Sequence, residues 1–195
     1  GSATPAGSML CDSLILEYFW DFTGTVAPCI TAQVLYLNGT AAVGCMNLRE
    51  VVLQDAGGNQ LTIASGSMSS SYPGSTITTC FDGITSASTE TCHTGPGGSG
   101  VCDPWTAHFA LSAPACISKV LVYNRDNPSV ASQQRIIGTV LSLRATETSA
   151  PLWSAPVRDY MANGGYTLTF SVGPTDSISG ISTALVSGAT RSATG

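Results

Sequence analysis

The segment Tyr166-Thr-Leu168-Thr-Phe170-Ser-Val172 alternates apolar and hydroxyl side chains without a break. A period of two sends one set to each face of an extended strand, whereas a helix would spread the same residues round its circumference. Trp105-Thr-Ala-His-Phe109-Ala-Leu111 alternates large apolar residues with smaller or polar ones in the same way. Ile117 to Tyr123 and Ile136 to Leu143 are rich in β-branched residues and bounded by turn formers, so both read as strands. Leu48 to Leu53 is similar and runs into Asp55-Ala-Gly57-Gly58-Asn59, a hairpin turn. Gln33-Val-Leu-Tyr-Leu37 is also strand-like. Only Ser13 to Phe22 lacks helix breakers, and its aromatic, β-prone content favours a strand. The stretches 64–79, 84–101, 124–134 and 144–151 are built from Ser, Gly, Pro and Thr and read as loops. Many short strands with polar loops predict an all-β fold, an antiparallel sandwich or jelly roll spanning 1–195 as one domain. The tail from Ser177 is weakly patterned and reads as a last strand or a linker.

Charge narrows the function. Apolar residues make up 43% of the 195, enough for a core, but charged residues only 10%. Ser, Thr, Gly, Asn and Gln must therefore cover the surface, which suits an extracellular β-protein. The net charge is −5 with seven Lys plus Arg, and no window clusters them. A surface that tracks phosphates needs such clusters, so nucleic acid is not an expected partner. No stretch reaches the roughly 18 apolar residues of a membrane span. The opening Gly1-Ser2 resembles a tag-cleavage scar, so we expect that a native signal peptide has been left out.

Seven cysteines stand at 11, 29, 45, 80, 92, 102 and 116, with no C-x-x-C pair. The pattern fits disulfides in an oxidising compartment, with neighbours paired inside the 80–116 cluster and one thiol left over. Asn38-Gly39-Thr40 is an N-glycosylation sequon, in keeping with a secreted glycoprotein.

Between Asn47 and Leu143 several short motifs follow one another in a recognisable order. Leu48-Arg-Glu50-Val-Val-Leu-Gln-Asp55-Ala-Gly57 resembles an edge strand and turn. Ser69-Ser70-Ser71-Tyr72 is followed by Phe81-Asp82-Gly83-Ile84-Thr85, then Cys92-His93-Thr94 and Asp103-Pro104-Trp105. Val122-Tyr123-Asn124-Arg125-Asp126 and Gln134-Arg135-Ile136-Ile137-Gly138 close the series. Together they resemble the galactose-binding-like, or discoidin-type, superfamily, and within it the fucose-binding F-type lectins. The resemblance implies an eight-stranded jelly roll with sugar held in loops at one end, and a structural calcium beside the Asp-Gly loop. It also implies sugar contacts from a His and two Arg, which here are His93, Arg125 and Arg135. The chain departs from the pattern in four places. No Gly separates Arg125 from Asp126, the adjacent cysteine pair that usually follows is missing, the path from Arg125 to Arg135 is longer than usual, and Thr106 stands where a second Trp is common. These changes leave the fold expectation intact, but fucose specificity does not follow.

Each candidate has a plainer reading beside the functional one. His93 can exchange hydrogen bonds with a sugar hydroxyl, or be a loop histidine with no ligand. Arg125 and Arg135 carry forked donors suited to ring hydroxyls or a carboxylate; an ion pair such as Arg125–Asp126 would instead hold the loop in shape. Among aromatic platforms, Tyr72 in its Ser-rich loop is the best-exposed choice; Trp105 falls on the buried side of its alternating strand, and Trp153 is a further candidate. For calcium, Asp82 opens a loop with Thr85, Ser88 and Glu90 close behind, though Asp82-Gly83 is equally an ordinary turn. Glu50 joins it through the resemblance, which places a distant glutamate beside that loop.

Catalytic motifs are absent: there is no Gly-x-Ser-x-Gly, no His-Glu-x-x-His and no phosphate-cradling loop. Nothing ties two carboxylates into a glycosidase pair. A zinc site from Cys92, His93, Cys102 and His108 is less economical than disulfides. The sequence thus predicts a non-enzymatic, secreted, lectin-like adhesion module whose partner is a glycan or glycoprotein, presented in several copies or as an oligomer. The rival is a structural or protein-interaction module of a matrix or cell wall that has no sugar site.

Overall fold

The computed structural model describes residues 19–20, 26–39, 44–85, 91–95, 104–126, 130–161 and 166–173. Two antiparallel sheets face each other. The first has five strands in the order β11 (Pro151–Pro156), β10 (Val140–Arg144), β3 (Ile30–Gly39), β8 (Trp105–Ile117) and β6 (Ile63–Met68). The second runs β12 (Thr167–Ser171), β9 (Lys119–Asn124), β4 (Asn47–Gln54) and β5 (Gln60–Leu61), with β7 (Cys92–His93) also paired to β4. A further short pair joins β1 (Phe19–Trp20) to β2 (Val26–Ala27). The all-β, disulfide-bonded sandwich expected from the sequence is the architecture found. No helix among the described residues is long and apolar enough to cross a membrane.

The alternation at Trp105 to Leu111 is realised residue by residue. Trp105, Ala107, Phe109 and Leu111 are buried, and the residues between them are partly exposed. They meet Leu35 and Leu37 of β3 and Leu141 and Leu143 of β10 in one cluster with Val51, Leu53, Val120, Val122 and Leu168 from the other sheet. Burying a side chain of this size stabilises the fold by about 2–3 kcal/mol, so the two facing layers are the principal source of cohesion.

Strand β4 departs from simple alternation, since every residue from Asn47 to Leu53 is buried. The pairing of β4 with β9 shifts by one residue between Leu48 and Glu50. A bulge of this kind lets Leu48 and Val51 both face the core although three positions apart. The polar residues between them are turned the other way and must be covered by something else.

Five sequence expectations need correction. The strand placed at Ile136 to Leu143 starts only at Val140, because Gly138 turns the chain with φ +88° and Gln134–Ile136 is a 3-10 turn. The loop placed at 64–79 contains β6, an edge strand of small and hydroxyl residues that owes its pairing to β8 rather than to its own propensity. The loop placed at 144–151 is shorter, since Arg144 ends β10 and the edge strand β11 begins at Pro151 and also ends in proline. The loops placed at 84–101 and 124–134 hold β7 and a short helix, Val130–Gln133. The hairpin at Asp55 to Asn59 is as expected, with the Asp55 carboxylate accepting from the Asn59 backbone at 2.8 Å. Ser13 to Tyr18 and the tail from Ser177 lie outside the described residues.

Cys80 pairs with Cys92, neighbours in the cluster as expected, but Cys116 pairs with Cys29, just before the adjacent strand β3, rather than within the cluster. Cys45 is also disulfide-bonded. The bonds point to an oxidising compartment. Chain-entropy arguments give the Cys29–Cys116 link, which closes a separation of 87 residues, about 4–5 kcal/mol, and the Cys80–Cys92 link, closing 12, about 3 kcal/mol. We expect denaturant unfolding of Cys29→Ser/Cys116→Ser to show the larger loss of the two double variants; equal losses would mean the loop-closure account is wrong here.

Candidate functional site

At one end of the second sheet, four loop segments are held together by backbone and hydroxyl hydrogen bonds. Tyr72-Pro73-Gly74-Ser75 forms a tight turn in which Ser75 N–H donates to the Tyr72 carbonyl at 2.9 Å. Pro presets the first central position and Gly74, at φ +82°, supplies the left-handed second one. The turn is fastened to β7: Tyr72 N–H donates to the His93 carbonyl, His93 N–H to Ser75 Oγ at 2.7 Å, and Ser75 Oγ to the Thr91 carbonyl at 2.8 Å. β7 is itself fixed by the Cys80–Cys92 bond and by register with Asn47 and Leu48 of β4. The Tyr72 ring therefore meets the His93 ring edge-on, with centroids 4.9 Å apart, while Tyr72 stays 50% exposed.

The arginines come from the other side. β9 ends at Asn124, whose side chain is 2% exposed and fully engaged. Its Nδ2 donates to the carbonyls of Gln133 at 2.9 Å and Tyr160 at 3.1 Å, and its Oδ1 accepts from Arg125 N–H at 2.9 Å. The short helix α1 (Val130–Gln133) and the following 3-10 turn are anchored by buried Gln133 and Ile136. One amide thus ties the strand end carrying Arg125 to the helical turn carrying Arg135. The aliphatic stem of Arg135 lies over Gly44.

Tyr72, His93, Arg125 and Arg135 all line one open cleft of about 680 Å³. The remaining wall is made by Asn47, Ser132 and the hydroxyl-rich 73–79 and 91 segments. The Arg125–Asp126 pair of the plainer reading is not found: Asp126 is taken by Arg49 of β4, which donates from Nε at 3.0 Å and also from Nη2. Among the described residues neither the Arg125 nor the Arg135 guanidinium has a hydrogen-bond or ion-pair partner. Burial, then the neighbouring Arg135 and Arg125 charges, push the His93 imidazole below its ordinary range. Its Nδ1 is buried without a hydrogen-bond partner. Burial also lowers Arg125, helped by Arg135 and Arg49 and opposed by Asp126.

A second group lies behind the sheet. Glu50 is 0% exposed, with Oε1 accepting from Gly83 N–H at 3.2 Å and Oε2 unpartnered. Burial and the adjacent Asp82 raise its pKa to about 7, against the pull of the Gly83 N–H. Asp82 Oδ1 accepts from Ile84 N–H at 2.8 Å, the ordinary Asx turn of the plainer reading. The structure therefore brings Glu50 to Asp82. No group of three or more His, Cys, Asp or Glu able to hold a metal occurs among the described residues, and Ser88 and Glu90 lie outside them.

Other candidates fall elsewhere. Trp105 and Trp153 are core residues. Cys92 is spent on its disulfide, which removes it from any zinc set. His108 sits on the first sheet, where Ser67 Oγ and, at 3.6 Å, Glu147 approach the same ring nitrogen, Nε2. A catalytic triad needs the acid on the opposite nitrogen. Sequence reasoning missed Asn47, which is 5% exposed with Oδ1 unpartnered, and the Arg49–Asp126 lock. A signal for the second was present, since an arginine inside an apolar strand must be paired once buried.

Two titrations follow from this geometry. His93 followed by NMR is expected to protonate below pH 6.5, and Arg135→Gln or Arg125→Gln to raise that midpoint; an unchanged midpoint in both would remove the arginines from its surroundings. For Glu50, the folded state keeps a proton up to about pH 7 that the unfolded chain releases near 4.5, so folding loses stability as pH rises through that window. Without divalent cations this carboxyl should cost on the order of 3 kcal/mol between pH 4.5 and 8, set against an opposite slope from His93, and the difference between the native and Glu50→Gln profiles isolates it. Identical profiles in the two chains would contradict the buried carboxyl. No family model, curated protein or solved structure matches this chain.

Proposed function

We propose that the chain is an extracellular carbohydrate-binding module of discoidin type, acting in adhesion and holding sugar in the cleft between the 72–75 turn, β7 and the two arginines. The observation that carries the reading is the convergence of His93, Arg125, Arg135 and Tyr72 on one open cleft. These residues are separated by up to 63 positions in the chain, from 72 to 135. Forked guanidinium donors span adjacent ring hydroxyls, a neutral imidazole donates or accepts, and an exposed tyrosine face accepts the apolar side of a pyranose. A module whose role was only structural has no need of two guanidinium groups held without partners among the described residues.

Glu50 and Asp82, with carbonyls of their loop, would hold a calcium ion. Two observations support the fit: Glu50 Oε2 lacks a partner, and the two acids repel each other. Calcium would neutralise the pair and stiffen the loop; hard oxygen donors of this kind are its usual ligands. Single-site affinity is modest for an open cleft, so presentation in several copies is the expected working form.

A glycan array run with calcium and with a chelator tests the reading. We expect binding to a defined sugar class, strengthened by calcium and lost in His93→Ala and Arg125→Ala. We further expect Glu50→Gln to remove the calcium effect while leaving residual binding. Silence from a correctly folded protein would end the carbohydrate reading and leave the structural module.

A further inference from the structure

The geometry points to a more specific ligand: we propose that the cleft takes an acidic sugar, a pyranose carrying a carboxylate or a sulfate, with its anionic oxygens held by Arg125 and Arg135. This rests on the carbohydrate reading of the same cleft and goes beyond it by naming the charge of the ligand.

The argument is one of charge balance. The chain has a net charge of −5 and only seven Lys plus Arg. Three of the seven stand around this site, with Arg49 and Arg135 both acting on Arg125. The one carboxylate adjacent in sequence, Asp126, is drawn off by Arg49. No carboxylate lines the cleft among the described residues, and the Arg125 and Arg135 guanidinium groups are unpartnered there. Two like charges held together in a partly desolvated wall repel, and an acidic protein has carboxylates to spare for relieving them. Among the described residues it supplies none. Hydroxyls of a neutral sugar would satisfy the N–H donors but leave the charge. A carboxylate or sulfate satisfies both, because the planar fork matches such groups in a bidentate way.

The rest of the wall argues for a sugar bearing the anion rather than for the anion alone. Asn47 lines the cleft, and its buried Oδ1 has no hydrogen-bond partner among the described residues. The imidazole of His93, held below its ordinary pKa first by burial and then by both arginines, adds no third cation and remains able to accept. A bare sulfate has no proton to give either group, whereas ring hydroxyls do.

The test titrates the whole chain by calorimetry with four probes: methyl galactoside, its 3-sulfate, methyl galacturonoside, and sodium sulfate. Each is measured at low and at physiological salt. At least one acidic glycoside is expected to bind about tenfold or more tightly than the neutral parent, and to weaken as salt rises. Arg125→Gln and Arg135→Gln should each erase that preference without changing the melting temperature. Lys119→Gln, at the opposite end of β9, should keep it. If neutral and acidic glycosides bind equally, the acidic-ligand inference falls and the carbohydrate reading stands. If sulfate alone binds as tightly as the acidic glycosides, the cleft is an anion site and the sugar is irrelevant, which overturns the inference. If no glycoside binds while the chain is folded, both fall together.

Discussion

A polar side chain taken out of water must find a partner or cost the fold a few kcal/mol, and strand β4 buries three within four residues. Asn47, Arg49 and Glu50 are 5%, 8% and 0% exposed. The bulge that turns Leu48 and Val51 into the core directs these residues toward the loops that cover the sheet. The functional end of the molecule is assembled from the consequences. Asn47 stands in register with His93 and forms the cleft wall. Arg49 captures Asp126, which leaves the Arg125 guanidinium without a partner among the described residues. Glu50 reaches the Asp82–Gly83 loop and leaves one oxygen for a further partner.

Around that strand the two halves of the cleft are held by unlike means. The Tyr72–His93 half is covalent and backbone-bonded, through Cys80–Cys92 and the Ser75 network. The arginine half depends on one buried amide, Asn124, which joins the end of β9 to the helical turn before Arg135. Rigid support on both sides suits recognition of a ligand with fixed stereochemistry, because little ordering remains to be done on binding.

How much of this can be read from sequence varies with the range of the interaction. Local alternation locates β8 and β12, since a period of two is written in consecutive residues. It fails for β6 and β11, edge strands whose pairing is decided by a neighbouring strand rather than by their own composition. It misplaces the start of β10, where β-branched Ile136 and Ile137 are overruled by the turn at Gly138. The lectin resemblance implies His93, Arg125 and Arg135, and the Ser-rich loop context adds Tyr72; the structure brings these four to one cleft. The Cys29–Cys116 bond, the bulge in β4 and the unpartnered Asn47 Oδ1 are not legible, because each depends on which strands become neighbours.

The account rests on a ligand bridging residues that have no partners among the described residues. A crystal structure of the chain grown with an acidic glycoside tests this most directly. The account predicts anionic oxygens within hydrogen-bond distance of Arg125 and Arg135, ring hydroxyls on His93 and Asn47, and the sugar face against Tyr72. A ligand bound elsewhere, or an empty cleft with both guanidinium groups closed onto carboxylates of the protein itself, would contradict it.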